Sequence, residues 1–467
     1  MTLHHAPRAH LLTGVAALCL LAQGAAAAPM DYPTALQHMA AASDRLAASR
    51  LAVDSAAQQR RAVEHLGGPS VSLGAAAYAY NANLDVDLNP LGQALPGIAA
   101  QLPPQLGGLV AQLPHLPASY TLNRHKTDAT ASVNAVWPLY MGGATSAART
   151  LADARTHEAQ ADSTRVGDEM ASLLVQRYFG AQLARRAAVL REAALHSIEQ
   201  HDAAAQKMLD AGVIAKVERL QARSALEEAR KNAQRARDDA DLAATALTRT
   251  ARADETVQPT SPLFVISQPV EPLDYFIDTA LARHPGLAKV AAKQAQAAQL
   301  HAAQEALRRP QVFAFGQREI KSGNADWVAG IAVRWTLWDS IDRNALAASS
   351  QAQIEQAERT GAQARSDIAL LVEKNWLALE QARRQYFAQQ AGVDLSAEVL
   401  RLREAGLREG TSTTLDLIDA QLNHAKVQTE RAQAAHDYVL ALAALLESSG
   451  LSDEFANYMA RADVKVD

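Results

Sequence analysis

Residues 409–421 read EGTSTTLDLIDAQ. Gly410 and the hydroxyl residues Thr411, Ser412, Thr413 and Thr414 interrupt a chain that is rich in Ala, Gln and Leu on both sides. The chain resumes with Asp416 and Asp419 set among Leu415, Leu417 and Ile418. Glycine is a common helix stop, and Thr413 with Asp416 forms a T-x-x-D capping pattern. The stretch reads as a helix end, a tight turn and a helix start. Residues 210–222, DAGVIAKVERLQA, repeat it around Gly212, 198 residues earlier (410 minus 212). The same offset (335 minus 137) relates WPLYMGGATSAARTLADA from Trp137 to WTLWDSIDRNALAASSQA from Trp335.

Between these markers Met170, Leu173, Leu174, Tyr178 and Ala181 correspond to Ile368, Leu371, Val372, Trp376 and Leu379. Their i, i+3, i+4 spacing is that of an amphipathic helix. Two copies make a duplication, not a solenoid. Pro138 to about Asp210 contains no interior proline. About 70 residues at 1.5 Å each make a helix of roughly 105 Å, longer than a compact domain holds. A returning helix is predicted from near Val217 to about Arg249. The prolines of 252–274 break the pattern, and a further helix runs from about Tyr275 to Arg308. The second half repeats the scheme, with a long helix from about Ser340 to Arg408 and a short one from about Leu415 to Leu446. The short partner of that half is the N-terminal helix, about Tyr32 to His65. Each short helix is roughly 50 Å, so two end to end match one long helix.

Composition agrees with this reading. Aromatic residues make up 5% and Ala is abundant, which suits close-packed helices better than a bulky globular core. The formal net charge of −5 argues against a nucleic-acid partner. Arg8 precedes the apolar run LLTGVAALCLLAQ (11–23), and the small residues Ala25 to Ala28 follow. This is the pattern of a secretory signal peptide cleaved just before Pro29. The only cysteine, Cys19, lies inside it, so the mature chain has no disulfide framework. The organisation predicted is a signal peptide over 1–28 and a first structural repeat over 29–250, comprising helix, strand pair with a long insert, long helix and returning helix. A non-helical equatorial linker over 251–271, a second structural repeat over 272–450 and a C-terminal tail over 451–467 follow.

Four segments alternate with a period of two: PSVSLGAAAYAYNANLDV (69–86), TDATASVNAVW (127–137), PQVFAFGQREI (310–320) and WVAGIAVRW (327–335). The last puts Trp327, Ala329, Ile331, Val333 and Trp335 on one face and Arg334 on the other. Strands of about 10 residues have the length of transmembrane β-strands, and tryptophans at their ends suit an aromatic girdle. Ordinary strands of a small soluble sheet are the alternative, but strands bounded by such long helices have no globular core to cover. Four strands cannot close a barrel, and a sheet in lipid must close because its edge groups find no partners there. Spanning strands therefore imply an oligomer in which each copy contributes four.

These two motif copies, the Trp-ended strands and the duplicated long helices resemble the TolC-like outer-membrane efflux protein family over nearly the whole mature chain. The resemblance implies a mainly α fold with a transmembrane β-barrel portion: a duplicated long-helix coiled-coil α-barrel plus four β-strands per protomer, and a trimeric 12-stranded barrel. It implies an outer-membrane exit duct of a tripartite efflux pump or type I secretion system, passively conducting substrates handed over by an inner-membrane pump through a periplasmic adaptor. The partners implied are two further copies in a homotrimer, a periplasmic adaptor (membrane fusion) protein, an inner-membrane pump of resistance-nodulation-division or ABC type, and outer-membrane lipid. The location implied is the bacterial outer membrane, with the α-barrel projecting into the periplasm. This sequence departs from the family pattern in two places. Lys216 and Glu218 stand in the first motif, and a Pro-, Leu- and Gly-rich insert, about Leu84 to His125, separates the first strand pair.

Carried over residue by residue, Asp416, Asp419 and Glu218 match the acidic ring of the periplasmic aperture. Gly212 and Gly410, with Ala215 and Ser412, match the helix-tip turns and adaptor contact. Trp137, Trp327 and Trp335 match the aromatic girdle. A second reading stays open for the aspartates, since carboxylates in the first turn of a helix also complement its dipole. No enzyme motif or phosphate loop occurs, and no catalytic residue, cofactor or metal is expected. His196 and His201 are five apart, a poor spacing for one ligand face of a helix. The alternative from another class is a secreted periplasmic coiled-coil adaptor or structural protein.

Overall fold

The computed structural model describes residues 28–90, 93–94, 118–321, 323–324 and 326–466. The predicted signal peptide up to residue 27, with Cys19, and most of the 84–125 insert lie outside them. Two compact units result. The larger comprises Met1–Gln58, Ala154–Ala295 and Glu355–Asp467, and the smaller Gln59–Asp153 and Gln296–Ile354. Each unit draws on both sequence repeats, because the smaller unit gathers the four long strands from both halves whereas the repeats follow the chain.

In chain order the elements are β1 (Ala28–Met30), α1 (Tyr32–Ala42), α2 (Asp44–Glu64), β2 (Ser70–Asp87), β3 (Ser119–Tyr140), α3 (Ala144–Asp210) and α4 (Lys216–Ala251). They continue with β4 (Val257–Pro259), β5 (Leu263–Val265), α5 (Leu273–Arg283), α6 (Pro285–Ala306), β6 (Gln311–Glu319), β7 (Trp327–Arg334), α7 (Arg343–Glu409), α8 (Thr414–Ser448), α9 (Phe455–Ala460) and β8 (Val464–Val466). The long helices α3 and α7 are each 67 residues, as the duplication predicts.

Two of the predicted short helices are each broken in two. Ser43 is extended (ψ 118°) between α1 and α2, and its side chain caps the Leu46 N–H. His284 is extended (ψ 123°) before Pro285, which opens α6. The residue before a proline is disfavoured in the helical region, and a proline is at home in the first helical turn.

The core of the larger unit is aromatic. Tyr32, Tyr178, Phe179, Phe264 and Phe455 pack with centroids 5.0–6.0 Å apart. Around them lie the predicted stripe residues Met170, Leu174, Tyr178, Ala181, Val372 and Leu379, all buried, whereas Leu371 is exposed. The segment predicted as a non-helical linker holds the two short strands β4 and β5. β4 pairs in parallel with β1, and β5 pairs antiparallel with β8. The predicted tail is thus part of the core: β8 completes a sheet, Phe455 is buried, and Tyr458 donates to Glu271 at 2.6 Å.

The smaller unit carries a four-stranded sheet in the order β2-β3-β6-β7, all antiparallel. Strand register puts Val71 and Leu73 of β2, Val133, Ala135 and Trp137 of β3, Ala314 of β6 and Ile331 and Val333 of β7 on one face. That face is exposed, with Trp327 at 74% and Ile331 at 70%. On the part of β2 and β3 beside β6 the other face is mostly small and polar, with Ser70, Ser72, Ser132 and Asn134 around Val136, while β6 adds Phe313 and Phe315. The first strand pair is longer than predicted. Leu84–Asp87 and Ser119–His125, assigned to the insert from sequence, are strand residues. At the junction of strand and helix, Gly142 adopts φ +67° and accepts a hydrogen bond from Arg309 at 3.1 Å.

Candidate functional site

Both helix tips close in the same way. Gly212 (φ +69°) and Gly410 (φ +73°) are left-handed, where only glycine is free of a Cβ penalty. Val213 N–H bonds to the Met208 carbonyl at 2.8 Å and Gly212 N–H to Leu209 at 2.9 Å. Thr411 N–H bonds to Gly406 at 2.8 Å and Gly410 N–H to Leu407 at 3.3 Å. These are paired Schellman closures that satisfy the last carbonyls of α3 and α7. Ala215 and Thr413 are the corresponding N-caps of α4 and α8, in extended backbone.

The two caps differ chemically. Ala215 has no side chain to cap with. Thr413 and Asp416 form a full capping box. Asp416 N–H donates to Thr413 Oγ1 at 3.1 Å, and Asp416 Oδ2 accepts from Thr413 N–H at 3.0 Å. Arg403 lies 3.7 Å from the same carboxylate. The Thr413 backbone N–H and hydroxyl, helped by the Arg403 charge, hold the Asp416 carboxyl below the usual carboxylate range. Asp416 therefore stays ionised to lower pH than an ordinary carboxylate. Its capping contribution is present above the unfolded pKa and is lost as pH falls through the lowered folded value. Asp419 is exposed and has no hydrogen-bond or ion-pair partner among the described residues. Glu218, half-buried in the first turn of α4, is the offset counterpart of Asp416. Ser412 is half-buried and Ala215 exposed.

Three features of the tips were not read from the sequence. Arg219 forks onto Asp202 at 2.6 and 3.2 Å and donates to Gln206 at 2.8 Å, with the ion-pair side chains only 13% and 14% exposed. This clamp ties α4 to α3 one turn above the tip, and its 17-residue spacing across a hairpin has no local sequence signature. Thr414 Oγ1 approaches Met208 Sδ at 4.0 Å, and Ile418 shares a buried cluster with Ile198, Ala205, Ala222 and Leu226, so α8 packs on the first hairpin. Gly406 leaves room for Ser412, whose Oγ would lie 2.5 Å from an added Cβ. A lone glycine in a helical run was its only signal. Arg219→Ala leaves the Asp202 carboxylate and Gln206 Oε1 without the guanidinium and is expected to cost about 2 kcal/mol. The denaturation midpoint reports it, and Arg219→Lys recovers only part of the loss because lysine lacks the fork.

The predicted girdle residues lie at both ends of the sheet. Trp137 pairs with Ala314 near the start of β6, and Trp335 follows β7 at that end, its Nε1 donating to Arg308 at 3.0 Å. Trp327 opens β7 at the other end, paired with Arg318. Eight residues separate Trp327 from Trp335, about 26 Å along a strand. His196 contacts Gln200 at 3.1 Å, and burial lowers the pKa of His201 against the opposing charge of Glu404.

The sequence matches the outer membrane efflux protein family over residues 35–251 and 276–451. No curated protein matches it. Among solved structures it is similar to the outer-membrane channel OprN (TM-score 0.72, 16% identity, 90% of this chain and 89% of that one). It is similar also to the Campylobacter jejuni CmeC outer membrane channel (TM-score 0.70, 13% identity, 93% and 90%). The third is the open state of the Neisseria gonorrhoeae MtrE outer membrane channel (TM-score 0.69, 16% identity, 90% and 89%).

Proposed function

Since this chain belongs to the outer membrane efflux protein family, we propose that it acts as a trimeric exit duct, taking substrates from an inner-membrane pump through a periplasmic adaptor. Members of this family are passive outer-membrane channels, not enzymes, and their helical barrel lies in the periplasm. The observation that carries the trimer is the four-stranded sheet with two free edges, β2 and β7, and an exposed apolar face with Trp137, Trp327 and Trp335 toward its ends. Edge N–H and C=O groups have no partners in lipid, so the sheet closes only by pairing β7 of one copy with β2 of the next. Three copies give 12 strands, and the apolar face turns to lipid. An adaptor carries one helical hairpin. This chain has two, α3–α4 and α7–α8.

At the periplasmic end, Asp416, Asp419 and Glu218 each recur three times about the axis. Like charges in a constriction focus a negative potential that favours cations. Asp416 is committed to its cap, so Asp419 is the better candidate for the ring. The tip segments around Gly212, Ala215, Gly410 and Ser412 are the surface offered to the adaptor.

Outer-membrane fractionation followed by single-channel recording tests this reading. A heat-modifiable trimer in the outer membrane that conducts is the expected result, and a soluble periplasmic monomer overturns it. Asp419→Ala is expected to reduce cation selectivity with little change in stability. Asp416→Ala is expected to lower stability first, because it removes the N3 half of the capping box. Unchanged selectivity in the double variant Asp416→Ala/Asp419→Ala removes the ring.

A further inference from the structure

The β2–β3 hairpin outruns the rest of the sheet. Its ladder is unbroken from Ser70↔Val136 to Asp87↔Ser119, whereas β6 pairs with β3 only as far as Ser132↔Glu319, with one more bond from Ile320 to Ala131. Among the described residues, 119–130 of β3 have no strand neighbour on that side. About twelve residues of two-stranded ribbon, roughly 40 Å, extend beyond β6. β7 is shorter still, so a neighbouring copy's β7 cannot cover the outer part of β2.

The polarity of the two ribbon faces inverts along its length. On the lipid-side face Val71, Leu73, Ala75, Ala77 and Ala79 are apolar. From Asn81 outward the same face carries Asn81, Asn83, Asp85 and Asp87, opposite His125, Asn123, Thr121 and Ser119. The lumen-side face does the reverse. It begins with Ser70, Ser72, Gly74 and Ala76, then becomes Tyr78, Tyr80, Ala82, Leu84 and Val86, with Tyr120 opposite Val86. Tyr78 and Tyr80 stack at 6.3 Å. Leu84 is 59% and Tyr120 57% exposed in the single chain. The inversion at Asn81 is where the outer side meets water. Beyond it the apolar face points inward, and an isolated two-stranded ribbon is at best marginally stable in water.

We propose that the Tyr80–Val86 face of each ribbon is covered by the same face of the other two copies, so that three ribbons meet about the threefold axis and narrow the outer exit. The inference rests on the trimeric channel proposed above. The occupant follows from continuity. Within the lipid this face lines the enclosed side of the barrel, where among the described residues the same face of the other copies stands, and the ribbon continues those strands without a break. Charge placement agrees. The lumen-side column of β2 carries no charged residue from Ser70 to Val86, so it can approach the axis. The charged residues of that face, Arg124, Lys126 and Asp128, sit on β3, where Lys126 and Asp128 pair with each other.

Cysteine pairing tests the geometry in the full-length protein carrying Cys19→Ser. Leu84 and Asn83 are adjacent but lie on opposite faces. Disulfides need Cα atoms within about 7 Å. Oxidation of Leu84→Cys is expected to give a covalent dimer within the trimer, and Asn83→Cys severalfold less. Equal or greater crosslinking of Asn83→Cys, or none with either in an intact trimer, overturns the proposal. Loss of the trimer itself, read separately by native mass, overturns the channel reading and this one with it. The double variant Tyr80→Ser/Leu84→Ser is expected to raise single-channel conductance severalfold, and unchanged conductance refutes the narrowing.

Discussion

Tyr178→Phe is expected to destabilise the protein by about 1–3 kcal/mol, although it removes one oxygen atom. The Tyr178 hydroxyl accepts from the backbone N–H groups of Thr260 and Ser261 at 3.0 and 2.8 Å, and donates to the Met30 carbonyl at 2.8 Å. One side chain on the first long helix therefore satisfies the linker and the segment leading into α1 together. Without it, the Ser261 N–H loses its partner in a core where Tyr178 is fully buried, while the Thr260 N–H and the Met30 carbonyl keep the 3.1 Å bond they make to each other. An unmet buried donor costs about 1–3 kcal/mol. Tyr386→Phe is the matched control. Its hydroxyl is buried with no hydrogen-bond partner among the described residues, so its removal is expected to be neutral or slightly stabilising. Urea unfolding of the detergent-solubilised protein, followed by tryptophan fluorescence, separates the two. Equal midpoints for both variants would contradict the argument.

Gly142→Ala is the second large effect. At φ +67° an L side chain is strained by about 1–2 kcal/mol, and the added Cβ would lie 2.4 Å from the Ala306 carbonyl oxygen and 3.0 Å from Arg309 Cβ. The obstacle is backbone, which cannot swing aside as a side-chain tip would. Overpacking adds about 1–3 kcal/mol, so the combined loss is about 2–5 kcal/mol. The displaced chain also carries the carbonyl that Arg309 binds, at the exit of β3 toward α3. A lower yield of folded protein in the outer membrane and a lowered unfolding midpoint are expected. Gly167→Ala has the opposite sign. It lies inside α3 with nothing within 4 Å of an added Cβ, and alanine is favoured there by roughly 0.5–1 kcal/mol.

The sequence carried the fold where physics writes it in long or repeated strokes. The 198-residue offset places Gly212 on Gly410 and Glu218 on Asp416, and both tips close by the same backbone bonds. The 67-residue helices follow from the absence of proline over a length that no other element tolerates. Shorter features left weaker marks. The three-residue strands β4, β5 and β8 are too brief for any periodicity, so a linker and a tail were read where sheets form. The Pro285 break was visible in principle, since His284 before a proline resists helix, but the apolar pattern on either side concealed it. At the tips, Gly410 and the Thr413–Asp416 box were legible because capping is local. The Arg219–Asp202 clamp was not, because it joins residues from two helices whose register only the folded hairpin fixes.

The pairing of β8 with β5 imposes an order in time. Val464–Val466 completes a sheet begun by Leu263–Val265, and Asp463 accepts from the Ser267 N–H at 2.9 Å. Synthesis and export deliver the N-terminal side first. Throughout passage across the inner membrane, then, the central core stands open at one edge, with Phe264 and Phe179 awaiting Phe455. A chain held incomplete in this way stays pliable while it is threaded. It locks only when its C-terminal segment emerges on the far side.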